Sequence, residues 1–244
     1  MKNIANENDL RIFVEFENLL AGFTRKPDGC DERRNDMVAV MKEIGGCVVK
    51  PILVHGNKVT AVTTEMVTGK SYIEIPDTDG VVTNLPNVVP TTTHADCIPV
   101  YAYDPVKKVI GLAHAGWKGT SNGIVGELVQ TMIDSFGCQP TDIYGYIAPG
   151  IGKCHFEFGA DYATECFTSK YNWMQDYIIS NTDDKEIAPD KVKIDLKGIN
   201  KHFFNLTGVN KVQICDDCTY CDNRYYSYRR ANDIERMLAY ITLK

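Results

Sequence analysis

Residues 93–119 read THADCIPVYAYDPVKKVIGLAHAGWKG, an apolar, strand-like stretch with reactive side chains at both ends. His94 and Cys97 precede the apolar run, and His114 ends it. Loops at strand ends are where a rigid scaffold most often displays binding groups. The stretch therefore predicts adjoining extended segments whose ends hold a metal site or a Cys–His nucleophile. Simple packing of these three side chains is the alternative.

Outward from this stretch, hydrophobic periodicity and turn residues predict both strands and helices. Strands are predicted at 10–21 with a turn at Gly22, on each side of the HGNK turn at 55–58, and at 80–104, 107–114, 142–148 and 211–215. Helices are predicted at 31–45, 120–137 (capped by Ser121 or Asn122 and ended by Gly137), 159–172 and 193–208, and 232–244 is either helix or strand. Several strands follow one another directly, which predicts a mixed α/β (α+β) fold of one mixed sheet or two packed sheets, with helices outside.

The composition is that of an ordinary globular protein. The 244 residues are 44% hydrophobic and 24% charged, without an internal repeat or linker, which predicts one domain over 1–244. A net charge of −6 argues against nucleic-acid binding. No secretory signal and no apolar segment of roughly 20 residues is present, so we expect a cytoplasmic protein that does not span a membrane. Nine Cys without a secretory signal predict reduced thiols rather than a disulfide framework.

Three residues at strand ends could form a metal site. His55, Cys97 and His114 each lie where a predicted strand meets a turn. Two His and one Cys suit Zn²⁺, and three protein ligands leave a fourth position for water, as in catalytic zinc sites. Zinc would lower the pKa of that water to roughly 7. A metal-free alternative uses Cys97 as a nucleophile and His114 as its base.

Other motifs favour plainer interpretations. Cys215, Cys218 and Cys221 form CDDCTYC, but a structural zinc site needs four ligands and no fourth follows, which favours a buried cysteine-rich loop. The Gly turn in residues 148–159, APGIGKCHFEFG, favours a corner between elements over an anion site. Trp117 could wall a pocket, although packing is its default role. RYYSYRR at 224–230 is equally compatible with an anion-and-base pocket and with a strand bearing surface Arg.

Eight segments together resemble a known family. They are GFTRKPDG, RRND, LVHGNKV, TDGVVTN, THADCIPVYAYDP, IGLAHAGWKGT, IAPGIGKCHFEFG and CTYCDNRYYSYRR. In this order they resemble the YfiH-like family, also called laccase-domain or multicopper polyphenol oxidase proteins, and most closely its Gram-positive branch. The resemblance implies a single domain of packed β-sheets flanked by helices, with a zinc site made by His55, Cys97 and His114.

The resemblance also implies activities. These are phosphorolysis of adenosine, inosine, guanosine and methylthioadenosine to the base and a ribose 1-phosphate, adenosine deamination, peptidoglycan editing, and copper-dependent phenol oxidation. The chain departs from the family where SYRRANDIER keeps Arg236 but lacks a Thr-Gly pair. This departure puts a role of the tail in closing the site in doubt. Its five His and absence of H-x-H pairs do not suit a multicopper oxidase, so zinc is expected, with Cu²⁺ as the alternative for a His₂Cys set.

The leading hypothesis is a zinc-dependent enzyme acting on small purine nucleosides and phosphate. Asp96, beside Cys97, is a candidate general acid or a brace for its turn, and His94 could orient substrate or transfer a proton. The cations available for phosphate are Arg34, Lys118, Arg229 and Arg230. The alternatives are a cell-wall amide or peptide hydrolase using Cys97 or the zinc site, a copper-dependent phenol oxidase, and a non-catalytic zinc-binding protein.

Overall fold

A computed structural model of the chain describes residues 15–26 and 45–244. Strands of the described part are β1 Leu19–Phe23, β2 Cys47–Pro51, β3 Val59–Ala61, β4 Tyr72–Ile75, β5 Gly80–Thr83, β6 Val88–His94, β7 Ile98–Asp104, β8 Val109–Ala115, β9 Tyr144–Ile147, β10 Glu157–Gly159, β11 Ile178–Ile179, β12 Lys191–Ile194, β13 Lys211–Ile214 and β14 Met237–Leu243. Its α-helices are α1 Thr64–Val67, α2 Trp117–Ser121, α3 Ile124–Phe136, α4 Ala160–Ala163, α5 Leu196–Leu206 and α6 Tyr228–Ala231. A π-helical segment, Thr164–Thr168, continues α4, and 3₁₀ segments cover Pro140–Asp142 and Asn172–Tyr177.

The opening stretch forms the centre of a six-stranded sheet with the order β13-β9-β7-β8-β5-β3. Strands β7 and β8 are an antiparallel hairpin in which Ile98 lies opposite Ala115 and Pro99 opposite His114. Every residue of both strands is buried. Strands covered on both faces read as nearly continuous apolar runs, which is the pattern seen in the sequence.

The six-stranded sheet lies between a helical layer and a second sheet. Along β7, Val100 and Ala102 pack with the apolar faces of α3 and α5. The alternate residues, Tyr101 and Tyr103, pack against β1 and β14 of a five-stranded sheet with the order β1-β14-β6-β2-β4. A third sheet, β10-β12-β11, completes the part of the fold that the structure describes. The predicted mixed α/β fold with packed sheets and outer helices is confirmed.

Strand β14 shows why one predicted turn is wrong. Residues 232–244, left open in the sequence, contain a fully buried strand that pairs with both β1 and β6. Gly22 lies inside β1, opposite Tyr240. The Tyr240 ring fills the space that a Cβ at position 22 would occupy. Gly22 is therefore a site of close approach rather than a turn.

Helix α3 begins and ends at left-handed glycines. Gly123 precedes it with φ 78°, and Gly137 follows it with φ 67°. Glycine adopts such positive φ values without the steric penalty of a Cβ. Gly137 confirms the predicted end, whereas Ser121 belongs to α2 and neither it nor Asn122 caps α3. The predicted helix at 31–45, including Arg34, lies outside the described residues.

The connection between β6 and β7 positions the site. Strand β6 belongs to the five-stranded sheet and β7 to the six-stranded sheet, so residues 95–97 cross from one sheet to the other. Asp96 has φ 82° at this crossing. The crossing therefore presents Asp96 and Cys97 at the edge where β8 ends. None of the helices in 15–26 and 45–244 has the length and apolarity to cross a bilayer.

Candidate metal centre and cleft

His55, Cys97 and His114 come together at the crossing. His55 lies in the turn between β2 and β3, Cys97 directly precedes β7, and His114 is the penultimate residue of β8. One ligand atom from each residue, a ring nitrogen or the sulfur, lies within 4.8 Å of the other two. The two imidazole rings meet edge to face with centroids 4.9 Å apart. The structure thus groups the three residues that the strand-end argument selected.

A buried carboxylate organises two parts of this cluster. The Asp79 carboxylate accepts the backbone N–H of His55 at 2.9 Å and that of Gly56 at 2.8 Å. These bonds hold His55 at φ 60°, in the left-handed region that non-glycine residues seldom adopt. Asp79 Oδ1 also lies 3.4 Å from Nδ1 of His114. One carboxylate therefore positions the His55 loop and the His114 ring together.

Cys97 and His114 form a thiolate–imidazolium pair in the chain alone. Burial raises the pKa of the Cys97 thiol, but His114 and His55 outweigh burial and lower that pKa to about 6. Burial lowers the pKa of His114, but Cys97 and Asp79 outweigh it and raise that pKa to about 9. The structure therefore stabilises the anionic sulfur, which is the form of Cys that binds metals.

The donor set fits a zinc ion. Two imidazoles and a thiolate are ligands that zinc prefers, and the three ligand atoms already lie close together. Among the described residues, His114 Nδ1 has no hydrogen bond of ordinary geometry, and the Asp79 carboxylate lies 3.4 Å from it. A carboxylate behind a ligating His fixes the ring and its tautomer in metal sites. Because Nδ1 faces Asp79, Nε2 is the ring nitrogen left for the metal. The same His₂Cys set also suits copper.

Close packing also shapes this cluster. A Cβ at Gly116 would lie 3.2 Å from Cys97 Sγ and 3.2 Å from a His55 ring carbon. Such contacts are tighter than ordinary van der Waals packing, so a side chain at position 116 would displace the ligands. Gly116, the first glycine of AGWKG, therefore leaves room for the ligand set.

His94 lies beneath the cluster rather than facing the cleft. Its Nε2 is 2.7 Å from Thr92 Oγ1, and its Nδ1 is 3.0 Å from the carbonyl oxygen of Cys97. Burial and the neighbouring His114 lower the pKa of His94 well below its usual value. Both ring nitrogens are engaged, so the geometry suits a neutral imidazole that positions the Cys97 backbone.

A cleft of about 480 Å³ opens above the cluster. His55, Cys97 and His114 line it together with Asp96. Aromatic and cationic side chains supply other parts of its wall: Trp117, Phe156, Tyr228, Arg229 and Arg236. A concave site with aromatic walls and a few convergent polar groups is typical of small-molecule binding.

Asp96 connects the cluster to the arginine segment. One of its carboxylate oxygens accepts a hydrogen bond from Thr219 Oγ1 at 2.7 Å, and the other accepts the backbone N–H of Arg229 at 2.7 Å. The side chain of Arg229 donates to the carbonyl oxygens of His155 and Glu157 at 3.3 and 3.2 Å. The carboxylate thus fixes where α6 begins and where Arg229 enters the cleft.

The predicted phosphate-binding cations have different positions. Arg229 lines the cleft, whereas Lys118 is exposed, lies 5.5 Å from the Trp117 ring centroid and is not part of the lining. Arg230 donates to the carbonyl oxygens of Thr219, Tyr220 and Tyr225, so its guanidinium holds the preceding loop together. Arg34 lies outside the described residues.

Comparison with known proteins identifies the family. The family model described as "Multi-copper polyphenol oxidoreductase laccase" matches residues 18–244. The chain belongs to this family. "Purine nucleoside phosphorylase YlmD" of Bacillus subtilis is 33% identical over 202 residues, which are 78% of this chain and 68% of that protein. "Purine nucleoside phosphorylase YfiH" of Shigella flexneri is 29% identical over 230 residues, 93% of this chain and 86% of that protein.

Coverage of the relatives varies. The matched region spans 60% of the Geobacillus stearothermophilus YlmD protein and 19% of human "Purine nucleoside phosphorylase LACC1". A solved structure, "Crystal structure of Bacillus licheniformis hypothetical protein YfiH", has a TM-score of 0.81 and 27% identity over 94% of both chains. The resemblance to the YfiH-like family that the sequence motifs indicated is confirmed.

Two residues of the site, Asp79 and Phe156, were not predicted from the sequence. Tyr228 belongs to RYYSYRR, for which an anion-and-base pocket is one of the two interpretations given above. Asp79 reaches the site because it directly precedes β5, which begins at Gly80 and pairs with β8, the strand carrying His114. Arg236, the one residue kept from the altered tail, lines the cleft.

Proposed function

We propose that the chain, as one catalytic domain, is a zinc-dependent purine nucleoside phosphorylase. Its substrates would be phosphate and adenosine, inosine, guanosine or methylthioadenosine, each nucleoside being cleaved to the base and a ribose 1-phosphate, which for methylthioadenosine keeps the 5-methylthio group. The observation that carries the proposal is the cleft itself, in which the His55, Cys97 and His114 cluster adjoins aromatic walls and two arginines. Relatives from several organisms are named purine nucleoside phosphorylases, which supports the same reaction.

The aromatic walls suit a purine base. Phe156 is buried in the wall, Trp117 is half-buried, and Tyr228 is 58% exposed. Trp117 packs edge to face with Phe158, which fixes the indole. Flat aromatic surfaces bury a heteroaromatic ring at little cost in side-chain entropy, and the Tyr hydroxyl remains free to bond a polar edge. We assign the base to this part of the cleft.

The two arginines suit phosphate. Arg229 is held by two backbone carbonyls, and Arg236 donates to the carbonyl oxygens of Asp233 and Glu235. Guanidinium groups bind phosphate through paired hydrogen bonds. In phosphorolysis a phosphate oxygen forms a bond to C1′, and the C1′–N9 bond breaks as the base leaves with its electron pair. Fixed positive charge beside the phosphate stabilises this transition state.

The remaining site residues position these groups. When bound, zinc supplies Lewis-acid polarisation of an oxygen and a source of hydroxide at neutral pH. His55, Cys97 and His114 would hold the ion, while His94 fixes the Cys97 carbonyl oxygen. Both oxygens of Asp96 accept hydrogen bonds, so the role proposed for Asp96 is placement of Arg229.

A second activity, adenosine deamination, is favoured by the ligand set. Three protein ligands leave a coordination position for water, which is the arrangement of catalytic zinc sites. In this reaction a water oxygen forms a bond to C6 of adenosine, the C6–N bond to the amino group breaks, and ammonia and inosine are released. It needs no phosphate, so the two activities are separable in one experiment.

The test uses purified protein whose metal content has been measured. Each of the four nucleosides is incubated with and without phosphate, and products are followed by chromatography. Free base and ribose 1-phosphate should form only with phosphate, and inosine should form from adenosine without it. Arg229→Ala should raise KM for phosphate, whereas Arg224→Ala, an exposed arginine paired with Asp222, is the matched control. Absence of any product from every nucleoside would refute the proposal.

A further inference from the structure

A second group of metal-ligating side chains lies outside the first cluster. Cys154 and His155 follow the Gly turn after β9, and Cys218 and Cys221 lie in the loop after β13. Strands β9 and β13 are parallel neighbours, so their carboxyl ends leave the sheet at the same edge. A parallel bridge between Gly150 and Cys218 extends this pairing into the two loops. The fold therefore joins a Cys-His pair and a C-x-x-C pair that are distant in sequence.

The four ligand atoms have the spacing of a tetrahedral site. All lie within 4.8 Å of one another. Cys154 Sγ is 3.7 Å from Cys221 Sγ, and Cys221 Sγ is 3.2 Å from His155 Nδ1. A tetrahedral zinc ion with Zn–S about 2.3 Å and Zn–N about 2.0 Å requires S···S of about 3.8 Å and S···N of about 3.5 Å. These two separations differ from the required values by only a few tenths of an ångström.

The surroundings hold the ligands in place. The Gly152 N–H donates to Cys218 Sγ at 3.1 Å. A Cβ at Gly152 would lie 3.2 Å from Cys154 Sγ, so a glycine leaves room for this sulfur. The Tyr220 ring stacks on His155 with centroids 4.0 Å apart and 17° between planes. Outer contacts of this kind orient ligands in metal sites.

A buried cation lies next to the thiol-rich loop. The Lys197 ammonium is 6% exposed and donates to the carbonyl oxygens of Cys215 and Asp217 at 2.7 Å each. Three thiolates, a neutral His and a divalent ion carry one net negative charge. A fixed ammonium beside the loop offsets that charge.

Cys215 itself does not belong to the group, so CDDCTYC contributes two ligands and residues 154–155 contribute the two that the sequence did not show.

We propose that Cys154, His155, Cys218 and Cys221 form a second, structural site for a thiophilic divalent ion of the zinc class. Four protein ligands close the coordination sphere, which is typical of structural rather than catalytic zinc. A disulfide between Cys154 and Cys221 would explain the grouping of the four side chains less well. It needs an S–S distance of about 2.05 Å and gives Cys218 and His155 no role. The ion would join two segments that border the cleft, one carrying Phe156 and the other leading to Arg229.

Metal counting on substituted full-length chains tests the site. Wild type should bind two zinc ions per chain, Cys97→Ala one, Cys154→Ser with Cys221→Ser one, and all three together none. Cys166→Ser, a partly exposed thiol outside both groups, is the matched control and should bind two. A chain that binds one zinc in wild type and none in Cys97→Ala would overturn the proposal.

X-ray absorption gives a second readout that does not depend on the cleft. The zinc retained by Cys97→Ala should have three sulfur neighbours at about 2.3 Å and one nitrogen at about 2.0 Å. Substitution with Co²⁺ in the same variant should give tetrahedral d–d bands and strong thiolate charge transfer. A nitrogen- and oxygen-only shell would contradict the assignment, as would a Cys154–Cys221 disulfide found by mass spectrometry of unreduced protein.

Discussion

Asp79→Asn is the sharpest test of how the candidate metal centre is held. The carboxylate accepts three backbone N–H groups, from Val54 at 3.3 Å, His55 at 2.9 Å and Gly56 at 2.8 Å. It also faces Nδ1 of His114 at 3.4 Å. An Asn side chain offers one acceptor oxygen and an NH₂ group in place of two acceptor oxygens. One orientation leaves the His55 N–H without an acceptor, and the other leaves Val54 and Gly56 without theirs.

The substitution should change both stability and metal binding. A charge-assisted hydrogen bond contributes about 1.5–3 kcal/mol, and a buried unsatisfied donor costs about 1–3 kcal/mol. These losses overlap, so we expect the free energy of unfolding to fall by about 2–4 kcal/mol. An Asn NH₂ facing His114 would favour the tautomer with its proton on Nε2, the nitrogen assigned to the metal. Loss of such an outer partner typically lowers metal affinity by about 10–100-fold.

Two measurements and one control decide the outcome. Zinc affinity is measured by competition with a chromophoric chelator, and stability by urea unfolding of metal-free protein. Asp77→Asn is the control, because Asp77 lies in the same turn with a 72% exposed side chain and an ion pair to Lys58. The control should change stability by no more than about 0.5 kcal/mol. Wild-type zinc affinity in Asp79→Asn would refute the organising role of this carboxylate.

Three further results are expected. Since Cys97 has a pKa of about 6 and His114 of about 9, only His114 of this pair must lose a proton to zinc at neutral pH. Apparent zinc affinity should therefore rise about tenfold per pH unit between those two pKa values and become constant above them. Calorimetry showing that zinc affinity does not depend on pH would contradict the thiolate–imidazolium pair. Arg229→Ala should raise KM for phosphate more than it lowers kcat, measured by initial rates. An equal loss of activity in the phosphate-free deamination of adenosine would contradict the assignment of Arg229 to phosphate binding. Gly22→Ala should destabilise the fold by about 1–3 kcal/mol in urea unfolding, because its Cβ overlaps Tyr240; unchanged stability would contradict that packing.

The sequence predicted those parts of the fold whose cause is local. Strand β8 is buried on both faces, so its apolar run was visible without knowing its partners. Gly137 ends α3 through its own positive φ, which is a property of one residue. The turn predicted at Gly22 was wrong because the reason for a glycine there is distant in sequence. The Tyr240 ring lies on a strand more than two hundred residues later in the chain.

The same distinction applies to the metal ligands. His55, Cys97 and His114 could be selected because each stands at a strand end, and strand ends were recognisable one at a time. Asp79 could not be selected, because its role depends on β5 pairing with β8 and on the His55 turn folding over it. The local sequence around an Asp in an ordinary turn does not differ from that around a buried Asp whose carboxylate organises a site.

The Cys154, His155, Cys218 and Cys221 group extends this argument. A search for four ligands within one segment fails at CDDCTYC, because the fold supplies the other two from a loop 64 residues earlier, as the numbers of Cys154 and Cys218 show. What joins them is the parallel pairing of β9 with β13, which places two loop starts side by side. The same pairing brings Thr219 to Asp96 and thereby fixes Arg229. An ion held by the four residues would therefore stabilise the placement of Arg229, so its removal should weaken phosphate binding before it unfolds the chain.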